Sequence, residues 1–377
     1  MKNLTQILLV CLFLLQGTNL FNGLVLGTLL CIISIEVIIN KGKLKLPLYF
    51  IIALCVYSVF LVIGIVNFHE KPLIDIKFQI FSFLLLFWLI NNRYSVNLLK
   101  LLFLINGIIF IIYFLLFFDL IPNIWSYTTF GFKGRVYGPA IISINLLLFY
   151  YLVFSHSVDK KIILATILGF IYTAMTTNFM NLAVLIILST LVFVHFKSLL
   201  KPVYMFSLLL IMTGVVWFLN SSFVPELVIE KLKYVYNPLE YPSLKTRVED
   251  LAKALKNENF GTFKQIFGEG FGTHSEIYRH NLRAVSWSRV FRFQEIDNGF
   301  YYLYHRGGWV LLTTFILSHL YLLSRINQIK AKIGFFAIVF LTNVLSIHYF
   351  NYYFYLLIPF FIINKLKISE KYNKEVL

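Results

Sequence analysis

Apolar runs of similar length, separated by short polar or basic segments, fill most of this chain. Each run covers about 16 to 21 residues, which is enough or nearly enough for a helix to cross roughly 30 Å of hydrocarbon. Continuous apolar runs fit helices rather than the alternating strands of a membrane barrel. The pattern predicts about twelve helices, at residues 5–22, 24–40, 46–66, 73–90, 98–118, 138–155, 161–177, 179–196, 202–219, 298–323, 333–347 and 349–364. The pair between Lys161 and Lys197 could be short, broken or re-entrant, because it leaves room for only a tight turn.

The composition agrees with a membrane protein. With 59% hydrophobic and 13% charged residues and a mean hydropathy of +0.80, the 377-residue chain lies far outside the range of soluble domains. We find no fixed-period repeat, low-complexity tract or linker that would divide it. We therefore predict an all-α, polytopic membrane helix bundle that forms a single domain, residues 1–377.

The positions of the cations set the expected orientation. If the N-terminus is cytoplasmic, 17 of the 33 Lys and Arg residues fall at the termini and in the short loops on the cytoplasmic side. Short cytoplasmic loops are enriched in Lys and Arg, whereas charge in a long translocated loop has little effect on topology. This rule places both termini in the cytoplasm and the long polar segment, residues 220–297, outside it.

This segment, which we call the large loop, is the only long stretch with the composition of a water-exposed region. Twelve Lys and Arg residues lie between Lys231 and Arg306. A helix is expected from Ser243, as N-cap, to Asn257. Its apolar stripe would lie on the bilayer or on the helix bundle and contains Leu244, Val248, Leu251 and Leu255.

The common motifs of soluble enzymes are missing from the large loop. Gly268, Gly270 and Gly272 suggest a phosphate loop, but neither a following Lys-Ser or Lys-Thr nor a preceding strand accompanies them, so we predict a turn. His274 and His280 lack the spacing of metal ligands, and the chain has no Gly-x-Ser-x-Gly sequence. We expect neither a metal nor a cofactor.

Arginine is the chemistry-bearing residue that remains. Its guanidinium group binds phosphate oxygens in pairs, whereas lysine acts as a point charge. Seven arginines are expected outside the membrane and suggest a diphosphate ligand: Arg135, Arg247, Arg279, Arg283, Arg289, Arg292 and Arg306. The alternative is that these side chains contact anionic lipid headgroups. Arg279 and Arg283 would lie one turn apart on any helix through their region.

An ordered set of short motifs carries a resemblance to a known family. The motifs are Thr246-Arg247-Val248-Glu249-Asp250-Leu251, the glycine-rich run from Phe267 to Thr273, Asp297-Asn298-Gly299-Phe300-Tyr301, and Gly307-Gly308. Together they resemble the large-loop signature of bacterial O-antigen ligases and Wzy-type polysaccharide polymerases. The ligases carry histidine where this chain has Asp297, and often an acid where it has Arg306. These two departures favour the polymerases.

The resemblance implies a GT-C-like membrane glycosyltransferase in the bacterial cytoplasmic membrane. Donor and acceptor would be undecaprenyl-diphosphate-linked oligosaccharides, and a chain-length regulator and a flippase are possible partners; no nucleic-acid partner is expected. The enzyme would use arginine in place of a metal to stabilise the leaving diphosphate. The arginines expected to bind the diphosphate are Arg135, Arg247, Arg279, Arg283 and Arg289, the first two with a catalytic role.

Proton transfer is assigned to Asp297, with His305 as its rival. If a helix begins near Asp297, His305 lies about two turns deeper, roughly 12 Å along the axis, so the two cannot touch one hydroxyl without a relay. The alternative for Asp297 is a helix N-cap. Two other activities stay open, an O-antigen ligase-like transferase and a flippase of lipid-linked sugars. The predicted spans are poor in charge, with Glu36 as a marginal case, which disfavours a transporter.

Overall fold

The structure is a computed structural model. It describes residues 48–70, 98–117, 120–122, 139–154, 160–175, 179–195, 233–235, 237, 240–257, 261–280, 288–293 and 296–346, and isolated positions within 27–34, 72–87 and 202–217. The predicted spans 5–22 and 349–364 lie outside these residues. The spans 24–40, 73–90 and 202–219 are described only at isolated positions.

Five apolar helices form the first part of the described structure. They are α1 (Leu48–Val66), α2 (Leu98–Phe117), α3 (Pro139–Phe154), α4 (Lys160–Met175) and α5 (Phe179–His195). Pro139 opens α3, where its missing N–H costs no hydrogen bond. Each of these five helices agrees with a predicted span to within two residues at either end.

The large loop folds into short elements that lead to a long helix. These elements are α6 (Pro242–Asn257), α7 (Thr262–Phe267), and an antiparallel hairpin of β1 (Ser275–His280) and β2 (Ser288–Phe293). Helix α8 (Gly299–Ser324) follows, one residue from its predicted limits. The hairpin departs from the all-α prediction. Its period-two signal is visible in β1, where exposed Glu276 precedes buried Ile277.

One detail of the predicted α6 is wrong. The helix begins at Pro242, with Tyr241 accepting hydrogen bonds from the backbone N–H groups of Leu244 and Lys245, so Ser243 lies inside the first turn and is not the N-cap. On the predicted apolar stripe, Val248 and Leu255 are half exposed. Leu251 packs, together with Ala254, against three buried residues, Ile277, Ile296 and Tyr301.

The C-terminal part of the bundle is less regular than predicted. The helix predicted at 333–347 forms as a continuous helical run over 329–345, composed of α9 (Ile329–Phe336), a π-helical turn at Ala337–Leu341 and α10 (Thr342–Leu345). A π-helical turn inserts an extra residue and rotates the side chains that follow it. The helix ends where Ser346 takes an extended conformation.

Helices α3, α5 and α9 share the centre of the bundle. Gly334 lets α9 approach closely, because a Cβ there would lie 3.0 Å from Leu188 and 3.2 Å from Leu152. Lys330 Nζ donates to the carbonyl of Val194 at 2.9 Å, so α9 runs antiparallel to α5.

One helix of the described part of the chain, α8, is long and apolar enough to cross a membrane. Large apolar side chains are also exposed along α1, with Leu48 at 71% and Val66 at 65%. Extended exposed apolar surface is typical of contact with a membrane or a partner. These features support membrane association.

Candidate functional site

Arg247 and Asp297, two residues singled out from the sequence, form an ion pair. Arg247 Nε lies 2.9 Å from Asp297 Oδ2, with the side chains 34% and 42% exposed. Arg247 belongs to α6, and Asp297 lies two residues before α8. The pair therefore joins the large loop to the beginning of α8 and stays within reach of a ligand.

Asn298, and not Asp297, caps α8. Its side-chain oxygen accepts a hydrogen bond from the backbone N–H of Tyr301 at 2.8 Å, and its Nδ2 donates to the carbonyl of Val344 at 2.8 Å. The N-cap alternative for Asp297 is thus wrong, because the adjacent residue satisfies the free amide. The Asp297 carboxylate pairs with Arg247 and not with the amides of α8.

The glycine-rich segment is a turn, as predicted. Gly268, Gly270 and Gly272 have φ values of 66°, 91° and 90°, a region that L residues with side chains rarely adopt. The N–H groups of Glu269 and Gly270 donate to the carbonyls of His305 and Arg306 at 3.1 and 2.8 Å. The turn is therefore fixed to α8 through its backbone.

The turn is wedged between α1 and α8. A Cβ at Gly270 would lie 2.2 Å from the backbone N of Gly64 in α1, and a Cβ at Gly268 would lie 2.4 Å from the backbone of Arg306 in α8. Helix α8 itself is broken at Gly308, which has φ 56° and ψ −155°. The carbonyl of Ile266 lies close to Gly308 at this break. Close approach of three backbone segments explains the glycines better than a phosphate ligand does.

The end of α1 is shaped to hold Glu269. Phe68 N–H donates to Ile65 O and His69 N–H donates to Gly64 O, the two hydrogen bonds of a Schellman motif. Phe68 occupies the position where glycine is usual, with φ 56° and an exposure of 92%. Asn67 Nδ2 and His69 Nε2 then both donate to the Glu269 carbonyl at 2.9 Å.

The Glu269 carboxylate lies in a local network. Lys264 Nζ donates to its Oε1 at 2.8 Å and Thr273 Oγ1 donates to its Oε2 at 2.9 Å. Burial would by itself raise the pKa of Glu269, but these hydrogen bonds and the charges of His305 and Lys264 outweigh burial and hold its pKa below the usual value. The Glu269 carboxylate therefore has a structural role.

A buried ion pair lies behind the turn. Arg306 donates from Nε to Asp75 Oδ2 at 2.5 Å and from Nη2 to Asp75 Oδ1 at 3.0 Å, with side-chain exposures of 2% and 0%. Tyr302 OH and the N–H of Gly272 donate to the same carboxylate at 3.0 and 2.9 Å. Asp75 is thus a buried charge within the predicted span 73–90, although the spans were expected to be poor in charge. Arg306 serves this carboxylate and does not face outward.

His305 lies apart from the Arg247–Asp297 pair. It is buried in α8, where its ring stacks on Tyr301 with centroids 5.4 Å apart. The Tyr301 hydroxyl shares a hydrogen bond with Ser275 Oγ at 2.9 Å. His305 therefore contributes to the packing beneath the turn, two helical turns from Asp297, as the helical spacing predicts.

The other predicted arginines are brought together only in part. Arg279 and Arg289 are directly paired in the register of β1 and β2, and Arg292 is paired with Glu276. Arg279 belongs to a strand, so the one-turn spacing expected on a helix does not apply to it. Arg135 and Arg283 lie outside the described residues.

Comparison with known proteins finds no matching family model, no similar curated protein and no similar solved structure. The site is therefore interpreted from its own geometry. Its centre is the half-exposed Arg247–Asp297 pair, supported by the glycine turn and by the buried Asp75–Arg306 pair.

Proposed function

We propose that this chain is a membrane-embedded glycosyltransferase that joins undecaprenyl-diphosphate-linked oligosaccharide units into a surface polysaccharide. It acts at the outer face of the bacterial cytoplasmic membrane, as a bundle of about twelve spanning helices with both termini in the cytoplasm. The observation that carries the proposal is the Arg247–Asp297 pair. It holds a phosphate-binding group and a proton acceptor 2.9 Å apart at the edge of an apolar bundle.

Exchange of partners activates the site. A half-exposed ion pair contributes at most about 1 kcal/mol, so an incoming diphosphate, which binds arginine in a bidentate manner, displaces Asp297 from Arg247. Displacement frees the Asp297 carboxylate to accept a hydrogen bond from the acceptor hydroxyl. Binding of the donor therefore also prepares the base. Arg135 is assigned to the same diphosphate on the strength of the sequence.

The reaction is a displacement at the anomeric carbon of the donor sugar. An acceptor hydroxyl oxygen forms the new glycosidic bond while the bond between that carbon and the diphosphate oxygen breaks. The hydroxyl proton passes to Asp297 and the electron pair of the broken bond leaves with undecaprenyl diphosphate. Arg247 stabilises the charge that develops on the leaving group.

Two other activities have less support. A ligase would use the same donor but a different acceptor, and Asp297 in place of the ligases' histidine argues against it. A flippase would need charged groups lining a central cavity. Asp75 is a charge within a predicted span, but it is bound by Arg306, Tyr302 and Gly272.

The test is polymerisation in phospholipid vesicles by the purified protein, supplied with lipid-linked repeat units from a strain that lacks it. We expect the wild-type protein to produce a ladder of longer chains and Arg247→Ala to produce none. Arg247→Lys should restore the ladder only poorly, because lysine keeps the charge but lacks the paired N–H donors of the guanidinium group. Lys245→Ala, an exposed cation on the same helix, is the matched control and should leave the ladder unchanged. Absence of any ladder with the wild-type protein would reject the proposal, and transfer only to a second lipid acceptor would identify a ligase.

A further inference from the structure

Helix α7 exposes two large apolar side chains, although it belongs to the large loop, which the sequence assigns to water. Phe263 is 70% exposed and Ile266 is 40% exposed, and none of the six residues of α7 is buried. The two side chains are three residues apart and therefore share one face of the helix. Apolar side chains grouped on a surface are typical of contact with a membrane or with a partner.

Backbone contacts fix α7 against α8. A Cβ at Gly308 would lie 2.3 Å from the carbonyl oxygen of Ile266 and 2.5 Å from that of Gln265, so the end of α7 touches α8 at its break. Trp309, which follows the break, is itself more than half exposed. Helix α7 thus lies beside Trp309.

The exposed surface of α8 continues from Trp309 as an apolar stripe. Its members lie within about 120° of the helix circumference and are Trp309, Leu317, Leu320 and Tyr321. In the described part of the chain, α8 is the helix that is long and apolar enough to cross a membrane, so this stripe is the surface that hydrocarbon would cover. Tryptophan is enriched where hydrocarbon meets the headgroups, which agrees with its position at the start of the stripe.

Helix α1 carries a second stripe that ends at the same turn. Exposed apolar residues recur at helical spacing along one of its faces, namely Leu48, Ile52, Val59, Val62 and Val66. The glycine turn packs on Gly64, near the end of this stripe, where a Cβ would lie 2.1 Å from the carbonyl oxygen of Phe271. Helix α7 leads into that turn and therefore lies at the level where both stripes end.

We propose that α7 lies in the outer leaflet of the membrane, with Phe263 and Ile266 in contact with lipid chains. Continuity with the stripes of α1 and α8 favours lipid over a second protein, because the hydrocarbon that covers these stripes extends to the level of α7. Lys264 is exposed and donates to Glu269 at 2.8 Å. A lysine beside apolar residues keeps its charge among the headgroups while its neighbours enter the apolar layer. This contact is independent of the reaction that the protein catalyses.

The test measures the surroundings of spin labels on the full-length protein in lipid nanodiscs. Single cysteines for labelling are introduced after the three native cysteines are changed to alanine. Phe263→Cys and Ile266→Cys probe α7. Leu317→Cys on the stripe of α8 is the lipid control, and Lys253→Cys at an exposed position of α6 is the water control. Collisions of each label are compared for oxygen, which concentrates in hydrocarbon, and for a nickel chelate, which stays in water.

We expect the ratio of oxygen to nickel collision rates at both α7 positions to be severalfold higher than at Lys253 and to approach the ratio at Leu317. A ratio as low as that at Lys253 would place α7 in water and overturn the proposal. Low collision rates with both reagents would show that protein covers α7 and would overturn it as well. If the two positions disagree, Ile266 decides, because its substitution leaves the ring contact between Phe263 and Phe267 intact.

Discussion

Asp75 and Arg306 form a bidentate ion pair with almost no exposure to solvent, although 231 residues separate them in the sequence. Taking two charges out of water costs several kcal/mol per ion and is offset only when the geometry is good and the remaining groups are bonded. Tyr302 OH and the Gly272 N–H complete the carboxylate's bonds. The pair therefore ties the glycine turn to α8 from within.

Removal of one partner of this pair should be strongly destabilising. We expect Asp75→Asn or Arg306→Gln to lower the free energy of unfolding by about 3–5 kcal/mol, because each leaves a buried charge alone. The double change Asp75→Leu with Arg306→Met should recover much of that loss. Thermal unfolding in detergent measures both. A double variant that is no more stable than the single variants would contradict this account.

Two glycines in helix interiors should respond to alanine in opposite ways. A Cβ at Gly64 would lie 2.1 Å from the carbonyl oxygen of Phe271, whereas nothing lies within 4 Å of a Cβ at Gly107. Gly64→Ala should cost about 1–3 kcal/mol by overpacking, and Gly107→Ala should gain up to about 1 kcal/mol in helix propensity. Equal unfolding temperatures for the two variants would show that the turn does not pack against α1.

Phe68→Gly should stabilise the fold. A left-handed conformation costs an L residue roughly 1–2 kcal/mol, of which the entropy of glycine in the unfolded chain cancels part, so the gain should be about 0.5–1 kcal/mol. Phe68→Ala is the control, since it removes the ring and keeps the strained φ. If alanine stabilises as much as glycine in a denaturation curve, exposure of the ring and not the backbone is responsible.

Glu269 should make the fold sensitive to acid. Its pKa in the folded state lies below the ordinary value of 4.5, so its stabilising contribution is complete above that value and is lost as pH falls through the folded pKa. Unfolding temperature measured from pH 7 downward should therefore decline less steeply below about pH 4.5 in Glu269→Gln than in the wild type. Parallel acid limbs in the two proteins would count against this contribution.

Adjacent residues at the start of α8 should separate catalysis from capping. Asp297→Asn removes the proton acceptor and leaves the Asn298 cap, so we expect a stable protein that makes no polymer. Asn298→Ala should lower stability by about 1 kcal/mol through loss of the cap. Both are measured by thermal unfolding and by the vesicle polymerisation assay. Full polymer formation by Asp297→Asn would move the proton acceptor elsewhere.

The sequence predicted what local patterns determine. The limits of α1 to α5 and α8 follow from apolar runs, and the turn at Gly268 to Gly272 follows from glycine chemistry. Asp297 and Asn298 are adjacent, and both residue types are common N-caps, so the neighbouring sequence could not show which of them caps α8. The ion pair with Arg247, fifty residues earlier, decides between them.

Long-range partners account for the rest. Asp75 is one carboxylate in an apolar stretch, and the residues near it in the sequence do not indicate that it pairs with Arg306. The β1 and β2 hairpin was not predicted, because the part of the large loop after the helix ending at Asn257 was expected to consist of turns. The π-helical turn at Ala337–Leu341 is a one-residue irregularity that composition does not reveal.

The distance between Asp75 and Arg306 along the chain also constrains the order of folding. Ribosomes add about 5–20 residues per second, so roughly 10–45 seconds separate the synthesis of the carboxylate from that of its cation. Until Arg306 is made, the Asp75 carboxylate lacks the cation that offsets the cost of its burial. Closure of the site must therefore follow the synthesis of Arg306, and a chain cut before that residue would leave Asp75 without this cation.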